Sequence, residues 1–363
     1  MRKRRETSLV LGALVALGCS GNAVDLGHGQ DGQGWSDTTA QGASTSTPQT
    51  IYDSDLPIIG FALDGPTLYA LVYHAPTFDL ISCPLERCRS QRTTLYSSPK
   101  TSDELDKNFI SNTTLAVAGD RVFWLSSSDL MACPKTGCTE PQRVSSVDNT
   151  DCFAADGDTL YWLDRDQAVQ RLKPNTDVPE QVQAPTAAIL GPDHLVVGGD
   201  YLYISDPGTD SPSIWRVRKD GTGDAELVVE DNAISGLSAI SDSIYYPSKI
   251  LSGRIVKCAP GDCAKGAVAL ASNQRWPMEV RVADDEAFWL SKTRVAAHPS
   301  NSSLSSCRLP DCTDVEIRVA DFPLEPSANA PGDYPHFAVG PESLLWLEAR
   351  FDEAGSSLRR LAR

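Results

Sequence analysis

The feature that most constrains how this chain can fold is a ten-residue pattern that recurs seven times without a gap. The copies are Phe61 to Ala70 (FALDGPTLYA), Leu115 to Trp124 (LAVAGDRVFW), Phe153 to Trp162 (FAADGDTLYW), Leu195 to Ile204 (LVVGGDYLYI), Leu237 to Tyr246 (LSAISDSIYY), Val280 to Trp289 (VRVADDEAFW) and Phe337 to Trp346 (FAVGPESLLW). The first and eighth positions are apolar in every copy, and the ninth is aromatic in six and Leu345 in the seventh. Apolar ends around a short polar middle imply two short strands joined by a tight turn. The fifth position is Gly65, Gly119, Gly157 or Gly199 in four copies, which supplies the positive φ that tight hairpins need. The sixth is acidic in six copies (Asp120, Asp158, Asp200, Asp242, Asp285 and Glu342). A carboxylate there can accept hydrogen bonds from turn amides, a role favoured over calcium binding.

Two further strand-like runs follow each decamer. The fourth unit shows them best, as Ser213 to Val217, a turn Arg218-Lys219-Asp220-Gly221, and Ala225 to Val229. Each unit is therefore expected to be a four-stranded antiparallel meander. The last residues of the decamers are spaced 54, 38, 42, 42, 43 and 57 apart, which suits the blades of a β-propeller. An all-β chain with seven four-stranded blades is the expected fold, with six blades as the alternative. Hydrophobic residues make up 41% of the chain, enough for a core, while 26 Gly and 24 Pro punctuate it too often for long helices. The seventh unit has room for only one strand after its decamer, Ser357 to Leu361, before Arg363. The segment Gln49 to Asp53 resembles the outer strand Arg92 to Tyr96 of unit one, so it is expected to supply the missing fourth strand and close the ring.

The run Leu160-Tyr161-Trp162-Leu163-Asp164, followed by Val169-Gln170-Arg171-Leu172, resembles the Tyr-Trp-Thr-Asp repeat propellers of receptor ectodomains and their bacterial relatives. Weak versions cover residues 56–363. The Thr is replaced throughout, and the Asp survives only as Asp164 and Asp206. The resemblance implies the fold and says little about ligand.

The N-terminus reads Arg2-Lys3-Arg4-Arg5, then an apolar run from Leu9 to Leu17, then Gly18-Cys19. A basic head and an apolar stretch too short to span a bilayer form an export signal. Ala16-Leu17-Gly18-Cys19 resembles the lipobox of bacterial lipoproteins, with Ala16 where Leu is commonest. That resemblance implies a signal peptide over 1–18, lipidation of Cys19, and, from Ser20 after the cysteine, sorting to the outer membrane. Residues 19–48 are rich in Gly, Ser, Thr, Gln and Asp and read as a disordered tether, leaving 49–363 as the propeller. The whole chain carries 32 basic and 48 acidic residues, a net charge of −16. Without residues 1–18 the balance is 28 against 47, or −19, which disfavours nucleic acid or an anionic membrane surface as partner. Contact with the membrane is expected through the N-terminal lipid alone.

Eight of the ten cysteines form four pairs of identical spacing: Cys83/Cys88, Cys133/Cys138, Cys258/Cys263 and Cys307/Cys312. Each pair brackets four residues at the hairpin between the third and fourth strands. Facing residues at the base of such a turn lie within disulfide range. A zinc reading would need a second converging ligand pair at each site and has none, so four local disulfides are expected. Cys152 is left over, at a strand start, where a buried free thiol fits.

No catalytic motif emerges: there is no Gly-x-Ser-x-Gly, no phosphate-binding glycine loop ending in Lys, and no His-Glu-x-x-His. The residues just before the decamers are Gly60, Thr114, Cys152, His194, Gly236, Glu279 and His336. In a propeller this column starts the innermost strands near the channel mouth. His194, His336 and Glu279, with Arg281 and Trp276, are therefore the candidate ligand-binding residues, against the plainer reading of channel-lining residues satisfied by water. No metal or cofactor is expected. The residues lean toward a monomeric, non-catalytic envelope lipoprotein that binds a protein or another envelope component. A lyase or lactonase with its site in the channel and a purely structural envelope protein are the alternatives.

Overall fold

The computed structural model describes residues 47–74, 77–99, 115–126, 129–147, 153–164, 166–184, 189, 192, 194–206, 212–231, 233–248, 253–259, 261, 263–292, 301–323, 337–349 and 355–363. Cys19, Cys152 and His336 lie outside them, as does all of the expected leader and most of the tether.

The described strands form seven antiparallel sheets of four. The first strand, β1 (Gln49–Ser54), belongs to the last sheet. Blade 1 is β2 (Ile58–Asp64), β3 (Thr67–His74), β4 (Thr77–Pro84) and β5 (Thr93–Ser97). Blade 2 is β6 (Leu115–Ala118), β7 (Arg121–Ser126), β8 (Asp129–Pro134) and β9 (Gln142–Ser146), and blade 3 is β10 (Phe153–Asp156), β11 (Thr159–Leu163), β12 (Val169–Leu172) and β13 (Glu180–Gln183). Blade 4 is β14 (His194–Gly198), β15 (Tyr201–Asp206), β16 (Ser213–Arg218) and β17 (Glu226–Glu230), and blade 5 is β18 (Ser238–Ile240), β19 (Ser243–Ser248), β20 (Arg254–Cys258) and β21 (Val268–Ser272). Blade 6 is β22 (Pro277–Ala283), β23 (Glu286–Lys292), β24 (Asn301–Arg308) and β25 (Val315–Pro323). Blade 7 is β26 (Phe337–Val339), β27 (Ser343–Ala349), β28 (Ser356–Ala362) and, as its fourth strand, β1. The count is seven, not six, and the N-terminal strand closes the ring.

Each decamer is the inner hairpin of one blade. Along its second strand the side chains alternate, so positions eight and ten face the preceding blade and position nine faces the following one. Seven hydrophobic clusters result, one at each blade–blade interface. The cluster between blades 1 and 2 holds Leu115, Val122 and Trp124 from blade 2 and Tyr69 from blade 1. The same positions recur as Phe153, Leu160, Trp162 and Phe123 between blades 2 and 3, and as Phe337, Leu344, Trp346 and Phe288 between blades 6 and 7. The ring closes on Phe61, Leu68 and Ala70 of blade 1 against Leu345 of blade 7. The four tryptophans at position ten are wholly buried, and Trp289 and Trp346 donate Nε1–H to Gln274 (2.9 Å) and Glu348 (3.0 Å).

The third and fourth strands of every blade show a register shift, for example at Leu80/Ile81, Leu130/Met131 and Ile214/Trp215. The β28–β1 pair has one too, between Thr50 and Tyr52. This bulge lets the consecutive residues Ile51 and Tyr52 both enter the blade 7–blade 1 cluster. The N-terminal strand thus has the irregularity of a genuine outer strand.

Positive φ at the fifth decamer position extends beyond the glycines. Ser241 (φ 50°) and Asp284 (φ 53°) adopt it beside Gly119 (57°) and Gly199 (53°). Polar residues of this kind can enter the left-handed region at modest cost. The described hydrogen bonds at the sixth position fall on its main-chain carbonyl, not on the carboxylate foreseen from the sequence. Asp120, Asp200, Asp285 and Glu342 accept there from the amides of Lys135 (2.8 Å), Lys219 (2.9 Å), Leu309 (2.7 Å) and Arg363 (3.1 Å). Three of these donor residues also reach the preceding blade with their side chains: Lys135 to Asp64 (2.5 Å), Lys219 to Asp156 (2.7 Å) and Arg363 to Asp284 (3.0 Å). The inner turn, the outer turn and the neighbouring blade are tied at one point.

All four disulfides are present: Cys83–Cys88, Cys133–Cys138, Cys258–Cys263 and Cys307–Cys312, with Cα separations of 4.8, 5.7, 5.0 and 5.0 Å. Their geometry corrects the expectation of facing cross-strand pairs. The first cysteine of each pair lies in or at the end of a third strand, but Cys88, Cys138, Cys263 and Cys312 all lie in the connection, outside any strand. The reason is that the connection does not end at the second cysteine. After Cys88 pairing resumes only at Thr93, and after Cys312 only at Val315, so the chain must curl back toward the third strand before it turns. Cys88 ends the short helical turn Leu85–Arg87 with helical backbone (φ −60°, ψ −30°), and Cys263 opens a second such turn, Cys263–Gly266. Cys312 donates its amide to the Arg308 carbonyl (2.9 Å), closing one turn of helical type, and has φ +50°, the left-handed conformation that reverses a chain leaving such a turn.

The first cysteine pairs across the sheet with the eighth decamer position: Cys83 with Leu68, Cys133 with Val122, Cys258 with Ile244 and Cys307 with Ala287. Where there is no disulfide, Leu172, Val217 and Leu361 occupy that place. Cys88 and Cys312 follow their partners into the blade interfaces, Cys88 beside Leu85 between blades 7 and 1 and Cys312 between blades 5 and 6. The bond therefore substitutes for a buried aliphatic side chain while closing a loop.

Candidate functional site

The rim where innermost strands begin holds residues singled out from the sequence, and the structure pairs two of them, Glu279 and Arg281. Both lie within β22, and Trp276 immediately precedes the strand. Second decamer positions are Ala62, Ala116, Ala154, Val196, Ser238 and Ala338 in the other six copies, so Arg281 is a large cation where small residues are the rule. Its guanidinium pairs with Glu279, donates to the Val280 carbonyl (3.2 Å) and lies over the Phe337 ring of blade 7, 5.9 Å from the centroid. Glu279 is buried, only 7% exposed. The register shift between Pro277 and Glu279 re-aims this end of the strand. Immediately before it Trp276 is 44% exposed and has φ +39°. Left-handed backbone is costly for a bulky residue, more so before proline, where extended conformations are favoured. A buried carboxylate paired with a partly exposed guanidinium can offer charge-assisted hydrogen bonds to a ligand, and an exposed indole can offer a stacking face.

His194 starts β14 in blade 4, two blades from this group, and is half-buried. The starting column is not a continuous polar ring. Gly60 and Gly236 interrupt it, and a Cβ at Gly236 would sit 2.8 Å from the Met278 carbonyl oxygen, so the inner strands of blades 5 and 6 approach too closely there for a side chain. Among the described residues no group of three or more His, Cys, Asp or Glu could hold a metal ion.

A second polar group went unread in the sequence. Asp231, in the connection from blade 4 to blade 5, accepts from Ser248 (3.2 Å) and pairs with Arg254 (3.3 Å), its side chain 6% exposed. Tyr246 also bonds it, and burial, followed by the Asp231 charge, pushes the Tyr246 phenol well above its usual range. One signal could have found it. The residue two beyond each decamer is polar in six copies, as Ser126, Asp164, Asp206, Ser248, Ser291 and Glu348. Asp164, one of the two surviving aspartates of the repeat, shows the local work done there: its carboxylate accepts from the amides of Asp166 and Ala168 (2.9 Å each) and from Gln170 Nε2 (2.7 Å). This is a cap on the connection to the third strand.

No family model matches the chain, and no curated protein matches it in sequence. Solved structures do match. An oligogalacturonate lyase from Vibrio parahaemolyticus aligns with a TM-score of 0.58 and 14% identity, over 89% of this chain and 98% of that one. An oligogalacturonate lyase in complex with manganese gives 0.58 and 12% over the same shares. A chain of a nidogen/laminin complex, a propeller of the Tyr-Trp-Thr-Asp type, matches at 18% identity with a TM-score of 0.42, over 69% of this chain and 92% of that one. What the two lyases share with this chain is the propeller fold. At such identities the likeness carries no activity across.

Proposed function

We propose that this chain is a lipid-anchored protein of a bacterial cell envelope, held at the outer membrane through Cys19, whose propeller binds a protein or another envelope component without transforming it. The observation that carries the reading is the blade 6 rim, where Trp276 is exposed on strained backbone, ahead in sequence of the pair that buried Glu279 makes with partly exposed Arg281. Backbone strain of this kind clusters at ligand-binding positions. The strongly acidic chain favours a neutral or basic partner over a polyanion. His194 extends the same rim in this reading, and His336 joins it on the sequence column alone.

The test places a photo-crosslinking amino acid at position 276 of the full chain in its own envelope, with position 227 on an outer strand as control. A discrete adduct from 276 that is absent from 227 supports the reading, and identical adduct patterns from both overturn it. If the purified full chain instead turns over a glycan or lactone, and Glu279→Gln abolishes turnover, the channel is a catalytic site and the scaffold reading falls.

A further inference from the structure

Of the eight half-cystines, seven are buried, from 0% exposed at Cys133 through 2% at Cys88 and 6% at Cys312 to 7% at Cys263, and Cys138 alone is half-buried. A shallow, open depression touches the same residue, lined by Thr94 to Ser97 of β5 and by Cys138 and Thr139. The turn that this disulfide closes is also an inter-blade latch. The Cys138 amide donates to the Leu95 carbonyl of blade 1 (2.9 Å), and Lys135 within the turn pairs with Asp64 of blade 1. The turn lies so close to β5 that a Cβ at Gly137 would sit 3.1 Å from the Leu95 oxygen.

We propose that the Cys133–Cys138 bond is a thiol–disulfide exchange site, attacked at Cys138 Sγ by a dithiol that enters this depression. A thiolate of the dithiol bonds to Cys138 Sγ as the Cys133–Cys138 bond breaks, and Cys133 Sγ leaves with the electron pair. Cys133 takes up a proton, because its surroundings, Tyr69, Leu71, Leu80, Leu95 and Trp124, disfavour a thiolate. The second thiol of the dithiol, once deprotonated, displaces Cys138 Sγ, which is also protonated. The products are two protein thiols and a cyclic disulfide, a balanced two-electron exchange. Access selects the bond, since the other three disulfides bury both half-cystines against attack. Opening it frees the 134–137 turn from its covalent clamp, loosening the hold of blade 2 on the outer strand of blade 1.

The test uses the folded full chain, with thiols that react before reduction blocked by unlabelled maleimide. Dithiothreitol is then added at low concentration, samples are quenched with labelled maleimide, and the four cystine peptides are followed by mass spectrometry. The Cys133 and Cys138 peptides should label at least about tenfold faster than the other six cysteines. Equal rates for all four pairs, or another pair opening first, would overturn the proposal. A second variant separates access from local instability. Thr94 is exposed, so Thr94→Trp should fill the depression without disturbing the core and should slow labelling of this pair alone. An unchanged rate in Thr94→Trp with the depression filled would show that the depression is not the route of attack.

Discussion

Removing β1 should cost most of the stability of the ring, although β1 is only six residues long. Ile51 and Tyr52 are 7% and 5% exposed, and both pack in the cluster between blades 7 and 1. Truncating a buried Ile to Ala costs about 2–5 kcal/mol and a large aromatic about 3–5 kcal/mol. The two together approach the roughly 5–15 kcal/mol that holds a typical domain folded. Polar ties add to this: Ser357 donates to Asp53 (2.6 Å), Arg359 to Thr50 (2.9 Å) and Arg92 of blade 1 to the Tyr52 hydroxyl (2.9 Å). Without β1 the outer edge of β28 also loses its hydrogen-bonding partner. Equilibrium urea unfolding followed by tryptophan fluorescence checks this, comparing the full chain, a chain lacking residues 1–46, a chain lacking 1–55, and Ile51→Ala. The expected order is no change for the first truncation, a loss of about 3 kcal/mol for Ile51→Ala, and a larger loss or outright unfolding for the second truncation. If the chain lacking 1–55 unfolds at the same midpoint as that lacking 1–46, closure by β1 contributes nothing and the reasoning fails.

The Arg363 side chain, 10% exposed, donates to the Ala283 carbonyl (3.0 Å), pairs with Asp284 and lies over the Phe288 ring, 5.3 Å from its centroid. Arg363→Ala should therefore lower urea stability by about 1–3 kcal/mol, and a change below about 0.3 kcal/mol would remove it from the inter-blade ties. Alkaline titration read at 295 nm should show the phenols of Tyr69, Tyr96, Tyr161, Tyr203, Tyr245 and Tyr246 resisting ionisation, because burial raises each of them. A raised folded pKa means the contribution is fully present below the unfolded value near 10 and is lost as pH climbs above it. Stability should thus fall steeply above about pH 10 and less steeply in Tyr246→Phe. Ionisation of these phenols at ordinary pH in the still-folded protein would contradict their burial.

The blade count, the inner hairpins and the pairing of the cysteines were legible from residues alone, because each is local. Position eight, nine or ten of a decamer has one face by strand alternation, and a cysteine five residues from its partner has few other places to go. Even ring closure could be read, since a seventh unit lacking a fourth strand left Gln49 to Asp53 as the remaining candidate. The backbone at the second cysteines was not legible, because spacing alone does not say that the connections run on past Cys88 and Cys312 and curl instead of pairing. What only the tertiary structure decided is whatever depends on a neighbouring blade. The sequence cannot say that Lys135 and Lys219 would reach back to Asp64 and Asp156, or that the sixth-position carbonyl, not its carboxylate, would tie the turns. It marked His194 and Glu279 as members of one column, but placing Arg281 over Phe337 requires blades 6 and 7 to be stacked first. Likewise four cysteine pairs of identical spacing are equivalent in sequence. Packing against β5 is what leaves Cys138 half-exposed beside a depression while the other seven are sealed, because burial is set by what the next blade covers and not by the residue's own strand.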